Sequence, residues 1–164
     1  MKRIGLLSDT HSYFHKSLAD FFKDVDEIWH AGDFGSIEIA NELRKLKPLR
    51  GVYGNIDGQD IRKEFPKHQR FYCEEVKVWM THIGGYPGKY DISIKQEILL
   101  NPPKLFISGH SHILKVMNDK NLKLLHINPG AAGKYGMHHM ITAVRFVIDK
   151  TDIKNLEVLE IARG

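Results

Sequence analysis

The chain has 164 residues, 42% hydrophobic and 27% charged, with 24 Lys and Arg against 20 Asp and Glu for a formal net charge of +4. That is apolar material for one compact core, no composition shift marks a second, and a single domain over residues 1–164 is the expectation. Cys73 is the only cysteine, which excludes an internal disulfide and a thiolate-built metal site; the opening Met1 to His11 has too few successive apolar residues for a signal-peptide core or a membrane span, so a cytoplasmic protein is expected.

Short β-rich apolar runs alternate with stretches whose apolar residues return every three or four positions. Ile4 to Leu7 reads as a first strand, followed by a helix around Lys16 to Lys23 that buries Leu18, Phe21 and Phe22. Glu27 to His30 is a second strand. Ser36 is placed to cap a helix running to about Lys47, where Pro48 stops it. Leu49 to Tyr53 and Val76 to Met80 read as further strands, Cys73 as a strand residue, and Ile92 to Leu100 as a helix ending before Pro102 and Pro103. Leu105 to Ser108 is a short buried strand; Ile113 to Met117, Leu122 to Ile127, Ile141 to Ile148 and Ile153 to Ile161 follow with turns between them. Early strands parted by helices and late strands parted by turns imply an α/β fold of mixed architecture, two sheets packed together with helices outside. The basic runs Arg44 to Arg50 and Arg62 to Arg70 read as solvated faces in preference to a nucleic-acid surface, and Trp29 and Trp79 read as core.

Five apolar runs end alike, each passing at its carboxyl end into a polar loop: LLSDTH, IWHAGD, GVYGNID, VWMTHIGG and LFISGHSH. In open α/β sheets ligand sites lie beyond the carboxyl ends of the strands, so loops spread over residues 8 to 112 can converge. Glycine directly precedes the polar residue in Gly32-Asp33, Gly54-Asn55 and Gly109-His110, where a sharp or positive-φ turn is expected to aim the next side chain inward. Asp9, His11, Asp33, Asn55, His82, His110 and His112 carry nitrogen and oxygen donors that suit Mn, Fe, Zn or Ni. Seven donors are too many for one ion, and sharing Asp33 would divide them evenly between two. Two ions about 3.5–4 Å apart clamp a phosphoryl group and lower the pKa of a shared water, whose hydroxide is the expected nucleophile.

These residues resemble the calcineurin-like metallophosphoesterases, and especially their small single-domain YfcE-type branch. Asp9-Thr10-His11, Gly32-Asp33, Gly54-Asn55-Ile56-Asp57, Thr81-His82 and Gly109-His110-Ser111-His112 stand in family order, followed by Asn128-Pro129-Gly130. The resemblance implies a four-layer sandwich, two mixed β-sheets flanked by helices. It implies that Asp9, His11, Asp33 and His112 bind one divalent ion and that Asp33, Asn55, His82 and His110 bind a second and do the catalytic work. Manganese is the favoured ion, with Fe, Zn, Ni or Mg as alternatives, and the expected partner is a small phosphate ester, with no membrane.

Two positions depart from the family pattern. Ile56 stands where many relatives carry a histidine that protonates the leaving group; a missing acid costs about 10² to 10⁴ in rate, most for basic leaving groups, so phosphodiesters and activated monoesters are favoured. Asp57 beside it is expected to support Asn55 or a ligand histidine. Ile83-Gly84-Gly85 also differs from the relatives, so the following loop is expected to take its own path, with Tyr86, Lys89 and Tyr90 available to substrate. Two other functions compete: a non-enzymatic scaffold, as in the retromer subunit of the same fold, and a nuclease. The scaffold should show erosion of the ligand set, which is intact here; the nuclease lacks an aromatic stacking platform. Among the other histidines, His30 is expected at a strand end beside the site, His68 on the surface, His126 in a late strand and His15 at a helix start, while His138 or His139 is a candidate for touching substrate.

Overall fold

The computed structural model describes residues 1–164. Its elements in chain order are β1 (Lys2–Leu7), α1 (Ser17–Phe21), β2 (Glu27–His30), α2 (Ile37–Leu46), β3 (Leu49–Gly51), α3 (Gln59–Arg62), β4 (His68–Cys73), β5 (Val76–Thr81), β6 (Gly85–Tyr86), β7 (Lys89–Tyr90), α4 (Lys95–Leu100), β8 (Leu105–Ile107), β9 (Leu114–Asp119), β10 (Leu124–Pro129), β11 (Met140–Asp149) and β12 (Asp152–Ala162). Two five-stranded sheets organise them, ordered β12-β11-β1-β2-β3 and β4-β5-β8-β10-β9. Both are mixed. β1, β2 and β3 run parallel, as do β5, β8 and β10, while β11, β12, β4 and β9 pair antiparallel at the flanks.

Three separate apolar clusters make four layers out of these elements. The inner one lies between the sheets and joins Ile4, Leu6 and Trp29 of the first to Val78, Met80, Leu105 and Ile127 of the second. Trp29 anchors it, edge-on to Phe71 and Phe146, and its indole N–H donates to Glu27 at 2.6 Å, so the large ring is buried with its polar atom satisfied. A second cluster packs Leu7 and Ile28 of the first sheet against Leu18, Ile39, Leu43 and Ile61 of the helices α1 to α3. The third is smaller: Ile94 and Ile98 at α4 cover Trp79, Phe106 and Leu124 on the outer face of the second sheet. Alternating strand residues thus feed two cores at once.

Several elements depart from the sequence reading. The first helix is shorter than expected, and Phe21 is only half-buried, lying under the Arg145 guanidinium at 4.6 Å. Ser36 sits at the start of α2 in an extended conformation but makes no side-chain cap. The charged run from Arg62 to Arg70 is no uniform solvated face, because its second half enters β4, an edge strand whose inward residues Phe71 and Cys73 join the inner core. His68 is accordingly half-buried, accepting the Trp79 indole N–H at 3.2 Å. The Gly85 loop forms the β6–β7 hairpin, in which the Tyr90 hydroxyl donates to Asp119 at 2.7 Å and Tyr86 lies beneath the Lys115 ammonium, so Tyr90 is tied into the fold.

Candidate metal centre

The parallel strands bring the five polar loops to one edge. Leu7 pairs with His30 and His30 with Gly51, so the loops after β1, β2 and β3 leave side by side; β5 and β8 do the same in the second sheet. Hydrogen bonds then tie the loops together. The Asp9 N–H donates to Gly32 O at 2.9 Å, the His110 N–H to Asp9 Oδ2 at 3.0 Å, and the Gly109 N–H to His82 O at 2.9 Å. His82 Nδ1 lies 2.8 Å from Ala31 O, which only accepts, so Nδ1 carries the proton and Nε2 is left to present its lone pair.

All seven candidate residues gather here. The ligand atoms of Asp9, His11 and His112 lie within 4.8 Å of one another, as do those of Asp33, His82 and His110. Asp33 Oδ2 joins the two groups, 3.2 Å from His82 Nε2 and 3.3 Å from His11 Nε2, and His112 Nε2 is 3.2 Å from Asp9 Oδ1. The Asn55 side-chain oxygen lies 3.1 Å from His110 Nδ1, at the second group. Three of these atoms, Asp9 Oδ1, His11 Nε2 and His82 Nε2, are buried without a hydrogen-bond partner. A stranded buried polar atom costs about 1–3 kcal/mol, and these three, with His11 Nε2 and His82 Nε2 each 3.8 Å from Asp9 Oδ1, make a cluster that could hold a divalent cation.

The electrostatics agree. Burial alone would raise the Asp9 carboxyl, but the His11 and His112 rings, His82 and the Ser8 hydroxyl at 2.6 Å outweigh it and hold it far below the usual carboxylate range. Burial opposes charge on His82, yet Asp33 and Asp9 facing it raise its pKa. Asp33 is lowered against its own burial by His82 and by the Ile56 N–H at 3.1 Å. The field that draws protons to these histidines would draw a cation to the same spot.

Backbone strain is concentrated at the same residues. Asp9, His11, Asp33, His110 and His112 all have left-handed φ values, between 44° and 72°, a region non-glycine residues seldom occupy. The expected role of the preceding glycines is therefore only partly right. Gly32 has φ 103°, but Gly54 and Gly109 are not left-handed; the strained turn is taken by Asp33 and His110 themselves. Gly54 and Gly109 are needed for room. A Cβ at Gly54 would fall on the Asp33 carboxylate, and one at Gly109 on the Ser8 hydroxyl and 2.9 Å from Asp9 Oδ2.

Three buried polar residues brace the loops, and their sequence context did not show how. The Asp57 carboxylate, 3% exposed, accepts the N–H groups of Gly54 at 2.7 Å, Gly35 at 2.9 Å, Asp33 at 3.0 Å and Phe34 at 3.3 Å. It thus supports the main chain that carries Asp33 and Asn55, where a bond to a ligand side chain was expected. Fully buried His30 accepts the Gly32 N–H at Nδ1 and contacts the Thr10 hydroxyl through Nε2, both at 3.0 Å, while burial pushes its pKa down to about 3 and keeps it neutral. Asn128 donates to Gly109 O and the Ser111 hydroxyl and accepts the Gly130 N–H, which gives the Asn-Pro-Gly segment its purpose: it clamps the loop bearing His110 and His112. Of the remaining candidates, His138 sits edge-on to His112 with ring centres 5.2 Å apart and contacts Gly133 O, His139 is exposed, His126 is buried in β10, and His15 accepts the Ser17 N–H. Tyr135, which the sequence did not single out, stacks on His11 at 4.9 Å.

Comparison with known proteins meets this geometry. Residues 1–151 match the calcineurin-like phosphoesterase superfamily domain. A probable metallophosphoesterase of Methanothermobacter thermautotrophicus is 34% identical over 133 residues, covering 78% of this chain and 76% of the relative. Among solved structures, a novel archaeal phosphodiesterase superposes with a TM-score of 0.75 at 25% identity, covering 96% of this chain and 99% of the other. Chaetomium thermophilum Vps29 superposes over all of both chains with a TM-score of 0.78 at 11% identity, a likeness of fold. The chain belongs to the calcineurin-like phosphoesterase superfamily, and the two mixed sheets flanked by helices are that family's fold.

Proposed function

We propose that this protein is a metal-dependent phosphodiesterase. Asp9, His11, Asp33 and His112 would hold one divalent ion and Asp33, Asn55, His82 and His110 a second, with Mn²⁺ the favoured occupant of a site made of nitrogen and oxygen donors. The observation that carries this reading is the convergence of three partnerless buried atoms, on Asp9, His11 and His82, at a cluster already divided into two ligand groups with Asp33 between them. Two such ions, when bound, neutralise charge on a phosphoryl group and lower the pKa of water.

The chain's own residues do the rest. Asp33 and Asp9 supply the negative charge that keeps cations in place, and their strained, hydrogen-bonded loops fix the ligand atoms before substrate arrives, so little reorganisation is needed during reaction. His82 is oriented by Ala31 and holds its proton at Nδ1. His110 and Asn55 meet at the exposed side of the cluster, where a phosphate ester can reach them. Ile56 carries no proton to give, and its side chain is 47% exposed at the Asn55 turn; this supports diesters and activated esters as substrates over alkyl monoesters. The archaeal phosphodiesterase of the same fold supports the same choice.

Turnover of bis-p-nitrophenyl phosphate by the Mn²⁺-loaded protein, lost in Asp33→Ala, is the expected result. Full metal loading with no hydrolysis across diesters and activated monoesters would refute it and favour the second reading, a non-enzymatic scaffold. That reading draws on the Vps29 fold, but every one of the seven donor positions here keeps a competent side chain.

A further inference from the structure

A cavity of about 470 Å³ opens directly beside the candidate centre. It is bordered by the candidate ligands Asn55 and His82, by Tyr53 and Thr81, and by two cations, Arg62 and Lys67. Its volume falls within the range of small-ligand pockets, roughly 300–1,000 Å³. Both cations are exposed at its rim, and neither lies within ion-pair distance of a carboxylate. The cavity's single acid, Asp91, accepts both the backbone N–H and the hydroxyl of Ser93 and lies within Coulombic reach of Lys67, too far for an ion pair, so the cavity keeps a net positive charge. Arg62 is held in place, with Nε donating to Asp57 O at 2.6 Å and its guanidinium 4.4 Å from the centre of the Tyr53 ring, and Nη1 makes no bond.

We propose that this cavity is a subsite for a second anionic group, so that the natural substrate is a phosphodiester with a carboxylate or phosphate on one of its ester arms. The inference rests on the phosphodiesterase reading and deepens it. A neutral arm would leave both cations to solvent, whereas an anionic arm would gain charge-assisted hydrogen bonds from Lys67 and from the free edge of Arg62. Arg62 also touches the main chain of Asn55 and Asp57, so changing it would disturb a candidate ligand; the Lys67 side chain makes no hydrogen bond or ion pair in the fold and is the cleaner probe.

The test is calorimetric binding of three inert probes to the Mn²⁺-loaded protein: phenylphosphonate, 4-carboxyphenylphosphonate and benzene-1,4-diphosphonate. The two probes with a second anion should bind about tenfold more tightly than phenylphosphonate, as one partly exposed charged hydrogen bond provides. That ratio should fall to near one in Lys67→Met, return in Lys67→Arg and persist in the remote control Lys123→Met. The order of the two anionic probes assigns the group as carboxylate or phosphate. Equal affinity for all three probes, or a ratio that survives Lys67→Met, overturns the proposal. Because binding is read without turnover, a tenfold preference in the unmutated protein that disappears in Lys67→Met, found in a protein that hydrolyses no ester, would refute the phosphodiesterase reading and leave the subsite standing.

Discussion

Asp57 offers the sharpest test of how the fold holds its site. Its carboxylate accepts four main-chain N–H groups, from Asp33, Phe34, Gly35 and Gly54, three of them through Oδ2. Asp57→Ala strands all four. At about 1 kcal/mol each, the low end of the cost of an unsatisfied buried donor, the loss is roughly 4 kcal/mol, a large share of the roughly 5–15 kcal/mol that stabilises a typical domain. Asp57→Asn is subtler. Its amide oxygen can take over the three Oδ2 bonds, but its NH₂ group then faces the Gly35 N–H, so about 1–2 kcal/mol should be lost with the loop left near its place. Urea unfolding of both variants without metal reads these losses directly, and calorimetric Mn²⁺ binding to Asp57→Asn should show affinity down about 10–100-fold, as is usual when a residue supporting a ligand is changed. An alanine variant with the wild-type unfolding midpoint would refute the bracing role, whatever its metal affinity.

Two further outcomes follow from individual side chains. Ile56→His places an acid where Ile56 is 47% exposed and costs no core packing; it should raise hydrolysis of an alkyl monoester such as β-glycerophosphate relative to bis-p-nitrophenyl phosphate by about tenfold or more, and an unchanged ratio would argue against a missing leaving-group acid. Burial in β10 pushes His126 down to about 4, below the roughly 6.5 of an unfolded histidine, so the unfolded state binds the extra proton first. Its contribution is therefore intact above about pH 6.5 and is lost as pH falls towards 4, and His126→Leu should flatten the fall in urea midpoint between pH 7 and pH 5; an equally steep fall would contradict this.

The centre was legible because each ligand stands in a short loop after an apolar strand, and Asp9, Asp33, Asn55, His82 and His110 each announce themselves by residue type and position. Less visible were the residues that act on backbone atoms. Nothing in the sequence shows that Asp57 reaches back to the Asp33 loop or that Asn128 reaches Gly109, because such bonds are made only once distant strands are in register. Edge strand β4 was hidden for a different reason: His68, Gln69 and Arg70 open it, and only Phe71 and Cys73 supply an apolar face, so the alternation is too short to read. The same basic run conceals the cavity cations, since Arg62 and Lys67 are exposed like their neighbours and only the fold sets them at the border of a cavity shared with Tyr53, His82 and Asp91.

The central claim is that Asp33 is shared by two cations, and anomalous diffraction from crystals grown with Mn²⁺ tests it most directly. The account predicts two manganese peaks per chain on either side of the Asp33 carboxylate, one beside Asp9, His11 and His112 and the other beside Asn55, His82 and His110, with both occupancies reduced in Asp33→Asn. A single peak, or two peaks of which neither touches Asp33, would contradict it.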